Sequence, residues 1–143
     1  MELSGSYEFN APPAKVWATL MDPQVLSSCM PGCESFETVG EGEYQAVVSL
    51  GIGPVRGRYS AKISLRDQVP PQSYTLVVEG SGTIGFANGQ SHITLIDNGD
   101  TTTVKVHSDS QIGGTVARVG QRMMGSVAKG MLDKFFGCLA QAV

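Results

Sequence analysis

The last stretch of the chain, residues 115–143, has the most regular pattern of apolar positions. Near-adjacent apolar pairs recur every three to four residues, which traces one stripe down an α-helix of roughly seven turns. The opposite face is polar and includes Arg118, Lys129 and Lys134. A helix this long cannot keep its stripe in water alone, so the rest of the chain must provide the surface that covers it.

Most of the preceding sequence alternates between apolar and polar residues, as antiparallel strands with one buried face do. A first strand ends near Phe9, and prolines then open two short helices, over residues 13–21 and from Asp22 to about Ser28. Roughly six strands follow, with a bend predicted at residues 51–54. This order predicts one α+β domain over residues 1–143, with a curved antiparallel sheet of about seven strands wrapped around the C-terminal helix.

Composition limits the function without identifying it. The 143 residues are 41% hydrophobic and 16% charged, which is typical of a soluble globular protein, and the net charge of -3 argues against nucleic-acid binding. The N-terminus has no signal-peptide pattern, and no apolar run is long enough to span a membrane. Cys29, Cys33 and Cys138 do not have the spacing of a zinc or redox motif, so we expect reduced cysteines in a cytoplasmic protein.

The residues offer little catalytic chemistry. Gly80 to Gly85 matches the dinucleotide pattern G-x-G-x-x-G, but strand-like sequence follows where that fingerprint needs a helix, so bulges or kinks in a bent sheet explain it better. His92, His107 and Asp109 fall on outward-facing strand positions. We therefore predict no catalytic residue, no metal site and no cofactor.

The C-terminal helix is unusual in its methionines and glycines. Met123, Met124 and Met131 lie on its apolar stripe, and methionine suits a face that binds variable apolar ligands. Four glycines cost helix stability, so they point to close packing, flexibility or space beside the sheet. The alternative is that the methionines and the neighbouring Phe135 are plain core.

Several segments together resemble a known family. The order of elements is similar to that of the START-like, helix-grip superfamily. Four segments resemble the carbon monoxide dehydrogenase CoxG family more narrowly, and they are FNAPPAKVW at residues 9–17, MPGCES at 30–35, GIGPVRG at 51–57, and GQR at 120–122 followed by KFF at 134–136.

This resemblance implies an apolar cavity between helix and sheet, and an association with molybdenum hydroxylases of the carbon monoxide dehydrogenase type. Our first hypothesis is therefore a non-catalytic carrier of a quinone- or lipid-like molecule that serves such an enzyme, with peripheral contact at the inner membrane face possible. Ser108 and Ser110 point inward and could orient a polar head group. The remaining expected lining residues are Trp17, Leu20, Met30, Tyr44, Tyr59, Leu76, Phe86, Ile93, Met123, Met124, Val127, Met131 and Phe135.

Two alternatives remain open from the sequence. The chain could be an assembly or docking factor for the same enzyme, with no ligand of its own, and its partner surface would then be Arg118, Arg122 and Lys129. It could also be a small cyclase or hydrolase, because some helix-grip proteins are enzymes. That hypothesis needs an inward acid or base, and the sequence identifies none.

Overall fold

The structure is a computed structural model that describes residues 1–51 and 56–143. Most of the bend predicted at residues 51–54 therefore lies outside the described residues. Seven strands are present, and their bounds are β1 (Glu2–Phe9), β2 (Cys33–Gly40), β3 (Glu43–Leu50), β4 (Gly57–Val69), β5 (Ser73–Gly82), β6 (Gly85–Asp97) and β7 (Thr102–Gly113).

Two short helices follow β1, as the two proline signals predict. They are α1 (Pro13–Leu20) and α2 (Pro23–Cys29), each with proline in its first turn. The side chain of Asp22 caps α2 by accepting a hydrogen bond of 3.0 Å from the backbone N–H of Gln24.

The strands form one antiparallel sheet in the order β1-β7-β6-β5-β4-β3-β2. β1 pairs with the last strand, which brings the start and the end of the strand sequence together, and the sheet is not closed. The predicted two-layer α+β architecture is confirmed.

The glycine segment that matches the dinucleotide pattern is a β-hairpin. β5 ends at Gly82, β6 begins at Gly85, and these two residues are paired across the turn. Bulges or kinks were the expected explanation of these glycines, and a tight reversal between long strands is what the structure shows. The hairpin predicted at residues 97–100 also forms, with Gly99 at φ 88°.

The C-terminal helix begins later than its apolar pattern predicts. A short 3₁₀ helix spans Thr115–Val119, and the long helix α3 runs only over Gln121–Gln141. Gly120 separates them because its φ of 91° is incompatible with a continuous helix. The sequence pattern missed this break because the apolar spacing continues across it.

Buried side chains form two groups along α3. The larger group includes Phe136 and Leu139 from the C-terminal half of the helix, packed with Phe9, Val16 and other residues of β1, α1, α2 and the sheet. The smaller group surrounds Met124 near the start of the helix. α3 is therefore held at both ends, and its middle turns lie between the two groups.

A disulfide joins α2 to α3. Cys29 and Cys138 are bonded, with their Cα atoms 5.4 Å apart, whereas Cys33 is not bonded to another cysteine. The expectation of three reduced cysteines is wrong for this pair. Spacing along the chain could not show the contact, because 109 residues separate the two cysteines.

Removing this bond should destabilise the protein strongly. A Cys29→Ala/Cys138→Ala variant is expected to lose about 2–5 kcal/mol of unfolding free energy, because the bond closes a long loop in the unfolded chain. Urea denaturation would measure the loss, and Cys33→Ala is the matched control that should change little. Equal midpoints for the wild-type protein with and without a reducing agent would contradict the prediction.

The helix glycines are not explained by close packing. A Cβ atom added at Gly125, Gly130 or Gly137 would meet no atom within 4 Å, apart from neighbours within the helix itself. Gly32 in the MPGC segment is different, because its φ is +71° and an added Cβ would overlap the carbonyl oxygen of Ser49.

Alanine in place of the exposed helix glycines should therefore stabilise the protein. We expect Gly130→Ala and Gly137→Ala each to raise the unfolding free energy by about 0.5–1 kcal/mol, whereas Gly32→Ala should lower it. Chemical denaturation of the three variants checks both signs. A loss of stability in Gly130→Ala would show that this glycine has a packing role.

Candidate functional site

An apolar cavity of about 330 Å³ lies between α3 and the inner face of the sheet. Along the helix, its lining residues Ala128 and Met131 follow the small buried group at Met124 and precede the main core at Phe136. The cavity is partly open to solvent. Its volume lies near the lower end of the roughly 300–1,000 Å³ typical of small-molecule sites.

Small side chains on the inner face of the sheet make room for this cavity. Ala61 of β4 and Gly80 of β5 are paired, and Gly89 of β6 is paired with Ser110 of β7. A Cβ atom at Gly89 would lie 2.9 Å from that of Ser110, so any larger residue there would push into neighbouring atoms. Since the middle turns of α3 face this region, the two layers do not close on each other.

The polar groups of the lining are hydroxyls. Among the described residues that line the cavity, only Tyr74, Ser108 and Ser110 carry polar side chains, and none is charged. Burial raises the pKa of Tyr74 well above its usual range, so this phenol stays protonated and can donate a hydrogen bond. The site can thus surround an apolar molecule and hold one or two acceptor atoms.

The structure brings part of the predicted lining together. Met30, Leu76, Ser108, Ser110, Met131 and Phe135 line the cavity. The sequence analysis missed a larger set, drawn from seven elements and the α2–β2 turn, which consists of Leu3, Leu26, Pro31, Phe36, Val48, Ala61, Ile63, Leu65, Tyr74, Val78, Ala128 and Leu132. Strand alternation could have found several of these, since Ala61, Ile63 and Leu65 share one face.

Four predicted lining residues belong instead to the main core or its edge. Leu20, Tyr44 and Ile93 are fully packed there, and Trp17 contacts Tyr74 edge to face with ring centroids 5.5 Å apart. Trp17 is therefore one side chain away from the cavity, and not in its wall.

Three more belong to the small group at the start of α3. Met124 is buried there, with Tyr59 and Val127 packed against it. The hydroxyl of Tyr59 is buried and has no hydrogen-bond partner among the described residues, and burial raises the pKa of this phenol. This group forms one end of the helix–sheet interface and does not line the cavity.

The last two predicted lining residues face solvent. Met123 is 51% exposed, because the shorter helix turns it away from the sheet. Phe86 is 42% exposed and lies on the outer face, over Gly113, its partner on β7. Phe86 and Ile93 are an odd number of residues apart on β6, so strand alternation places them on opposite faces.

The predicted partner surface divides into two parts. Arg118 and Arg122 are exposed beside Met123. Lys129 donates a 2.7 Å hydrogen bond to Asp133, which also accepts one of 2.7 Å from the Tyr7 hydroxyl of β1. Lys129 therefore helps to fix α3 on β1.

These contacts shift the titration of all three side chains. The hydrogen bond from Lys129, followed by that from Tyr7, lowers the pKa of Asp133, and the same contact with Asp133 raises the pKa of Lys129. The pKa of Tyr7 is raised, chiefly by burial.

Two classes of site are not seen in the described residues. No group of three or more metal-ligating side chains converges within residues 1–51 and 56–143. No helix in the same ranges is long and apolar enough to cross a membrane.

The comparisons with known proteins first define the class. A START superfamily protein from Mycobacterium smegmatis, 11% identical, covers 99% of this chain and 96% of its own with a TM-score of 0.77. A truncated norcoclaurine synthase from Thalictrum flavum, 16% identical, covers 99% and 92% with a TM-score of 0.70. The fold is thus the helix-grip fold of START-like proteins.

The family follows from the sequence. The carbon monoxide dehydrogenase CoxG family matches residues 5–143, and the chain belongs to this family. A conserved protein from Geobacillus kaustophilus is 39% identical, with 99% of this chain and 94% of that one covered and a TM-score of 0.95. No curated protein matches the sequence. Family and fold together suggest an accessory role that involves a hydrophobic ligand.

The cluster of Tyr7, Asp133 and Lys129 gives a prediction for pH dependence. Because the folded-state pKa of Asp133 is lowered, its contribution to stability is present above the ordinary aspartate range and is lost as the pH falls through the folded-state value. Tyr7→Phe should raise this pKa by removing one hydrogen bond, and NMR titration of the Asp133 carboxyl would measure it. Tyr59→Phe is the control, and an equal rise there would contradict the assignment.

Proposed function

We propose that this chain is a non-catalytic binding protein for a hydrophobic small molecule of the quinone or lipid type. In this proposal it serves as an accessory protein to a molybdenum hydroxylase of the carbon monoxide dehydrogenase type. The observation that carries the proposal is the cavity itself, because a space of about 330 Å³ with apolar walls and three hydroxyls suits a weakly polar ligand.

A quinone fits the chemistry of the walls. The ring would lie against apolar side chains such as Leu76 and Met131, where each Å² of buried apolar surface contributes about 25 cal/mol before ordering costs. Its carbonyl oxygens would accept hydrogen bonds from Ser108 and Ser110. The volume suits a head group with short substituents, so a long isoprenoid tail would leave through the open side.

The same lining supports binding over catalysis. General acid–base or nucleophilic chemistry needs a titratable group beside the reacting atom. The described lining has no carboxylate, imidazole or amine, and burial raises the pKa of Tyr74 so that it stays protonated. The cyclase or hydrolase hypothesis therefore has no supporting residue in the described part of the chain.

The proposed location is the cytoplasm, with peripheral contact at the inner membrane face where a lipid-soluble ligand would be collected. The disulfide between Cys29 and Cys138 weighs against a permanently reducing environment, since such bonds rarely persist in cytosolic proteins. The proposal thus includes a period of oxidation during the life of the protein.

A docking role is the second candidate, and the exposed side chains beside the start of α3 support it. Arg118 and Arg122 flank the solvent-facing Met123, so a basic surface with an apolar centre is available to a partner. An Arg118→Glu/Arg122→Glu variant that loses the partner enzyme while binding quinone normally would establish this role beside the first.

The direct test is quinone binding by a variant whose cavity is filled. Ala128→Phe places a ring in the cavity and should weaken binding of tail-less benzoquinone and naphthoquinone analogues at least tenfold. Met123→Phe adds a ring to the solvent side of the same helix and is the matched control. Quenching of Trp17, the only tryptophan, reports binding because this side chain contacts Tyr74 in the cavity wall.

The serines provide a second arm of the test. A Ser108→Ala/Ser110→Ala variant should bind a naphthoquinone about tenfold more weakly while its affinity for naphthalene is unchanged, since neutral hydrogen bonds contribute about 0.5–1.5 kcal/mol each. Equal quinone affinity in wild type, Ala128→Phe and Met123→Phe would contradict a ligand in this cavity.

A further inference from the structure

The outer face of the sheet brings together the only two histidines of the chain. His92 of β6 and His107 of β7 are direct partners in the antiparallel register, and both side chains are exposed. Residues opposed in this way have Cβ atoms about 4.5–5.5 Å apart on the same face. Two imidazoles at that separation can direct one nitrogen each to a common point in solvent.

Neighbouring groups on β1 hold one of the rings. The Oγ atom of Ser4 lies 3.2 Å from Nδ1 of His107, and Oε1 of Glu2 lies 3.9 Å from Nε2 of the same ring. Metal-binding histidines commonly have their second nitrogen fixed by such a hydrogen bond. Ser4 thus orients His107, and Nε2 is directed to the side where the carboxylate of Glu2 can approach.

We propose that His92 and His107 bind one divalent transition-metal ion, such as Zn²⁺, on the outer face of the sheet. Imidazole nitrogen suits Zn²⁺, Ni²⁺ and Cu²⁺, whereas Mg²⁺ and Ca²⁺ prefer oxygen ligands. Because no preformed group of three donors exists among the described residues, water completes the coordination together with Glu2, which can swing in from the edge strand.

The charges around the pair are close to balanced, with Glu2 as the carboxylate nearest the site. Lys105 lies on the same face two residues before His107, and it opposes a bound cation. Asp109 lies two residues after His107, and the N-terminal ammonium group lies 3.8 Å from its carboxylate and offsets its charge. Glu2, beside the His107 ring, in turn offsets Lys105. A bound ion would tie β7 to β6 and, through Glu2, to β1.

The test is titration of the full chain with Zn²⁺ by calorimetry, with a variant of identical composition as control. In the register, Thr75 of β5 is the partner of His92 on its other side. A Thr75→His/His92→Thr variant keeps two histidines on the outer face but places them about 9–10 Å apart, two strands away from each other. This separation is too long for two imidazoles to chelate one ion.

We expect the wild-type chain to bind one Zn²⁺, and the exchanged variant and His107→Ala to bind it at least tenfold more weakly. Added Zn²⁺ should raise the thermal midpoint of the wild type and leave that of the exchanged variant unchanged, while Mg²⁺ should shift neither. Cys33→Ala should bind Zn²⁺ as the wild type does.

Equal Zn²⁺ affinity in the wild type and the exchanged variant would overturn the proposal, as would loss of binding in Cys33→Ala. Denaturation without metal shows whether each variant is folded. If the exchanged variant is unfolded, the comparison between wild type and His107→Ala decides the result, because that substitution only shortens an exposed side chain.

Discussion

The attachment of the C-terminal half of α3 determines the rest of the structure. Phe136 and Leu139 are completely buried, and the ring of Phe136 stacks on Tyr7 of β1 with centroids 5.0 Å apart. The bond between Cys138 and Cys29 fixes the same end of the helix to α2. With one end held this way and the other resting on the group around Met124, the middle turns cannot settle onto the sheet.

The cavity is a consequence of that restraint. Opposite the middle turns, the central strands present small residues such as Ala61 and Gly89, so the apolar walls remain partly exposed to water. Walls that face water forgo about 25 cal/mol of burial energy per Å². A fold that keeps such a space when larger side chains could fill it has a use for it, which is the physical basis of the ligand-binding role.

The order and layers of the fold could be predicted from the sequence because each depends on local signals. Strict alternation gave the faces of β4 and β7, and proline after a polar residue gave the start of α2. The break at Gly120 could not be predicted from spacing, since the apolar pairs continue across it. The disulfide could not be predicted either, because it depends on how α2 meets α3.

The candidate site could be predicted only in part, for a similar reason. Inward positions such as Ser108 and Leu76 follow from alternation within one strand, but which inward residues meet a cavity depends on the placement of α3. Phe86 was assigned to the wrong face although its separation from Ile93 excludes that face. The opposition of His92 and His107 needs the register between β6 and β7, which periodicity within each strand does not provide.

The most direct test of the central claim is native mass spectrometry of the protein purified from its own host, followed by solvent extraction and identification of any bound molecule. The account predicts one hydrophobic molecule of the quinone or lipid type per chain, retained in Met123→Phe and lost in Ala128→Phe. A wild-type protein that is empty as isolated and does not take up added quinone would contradict it.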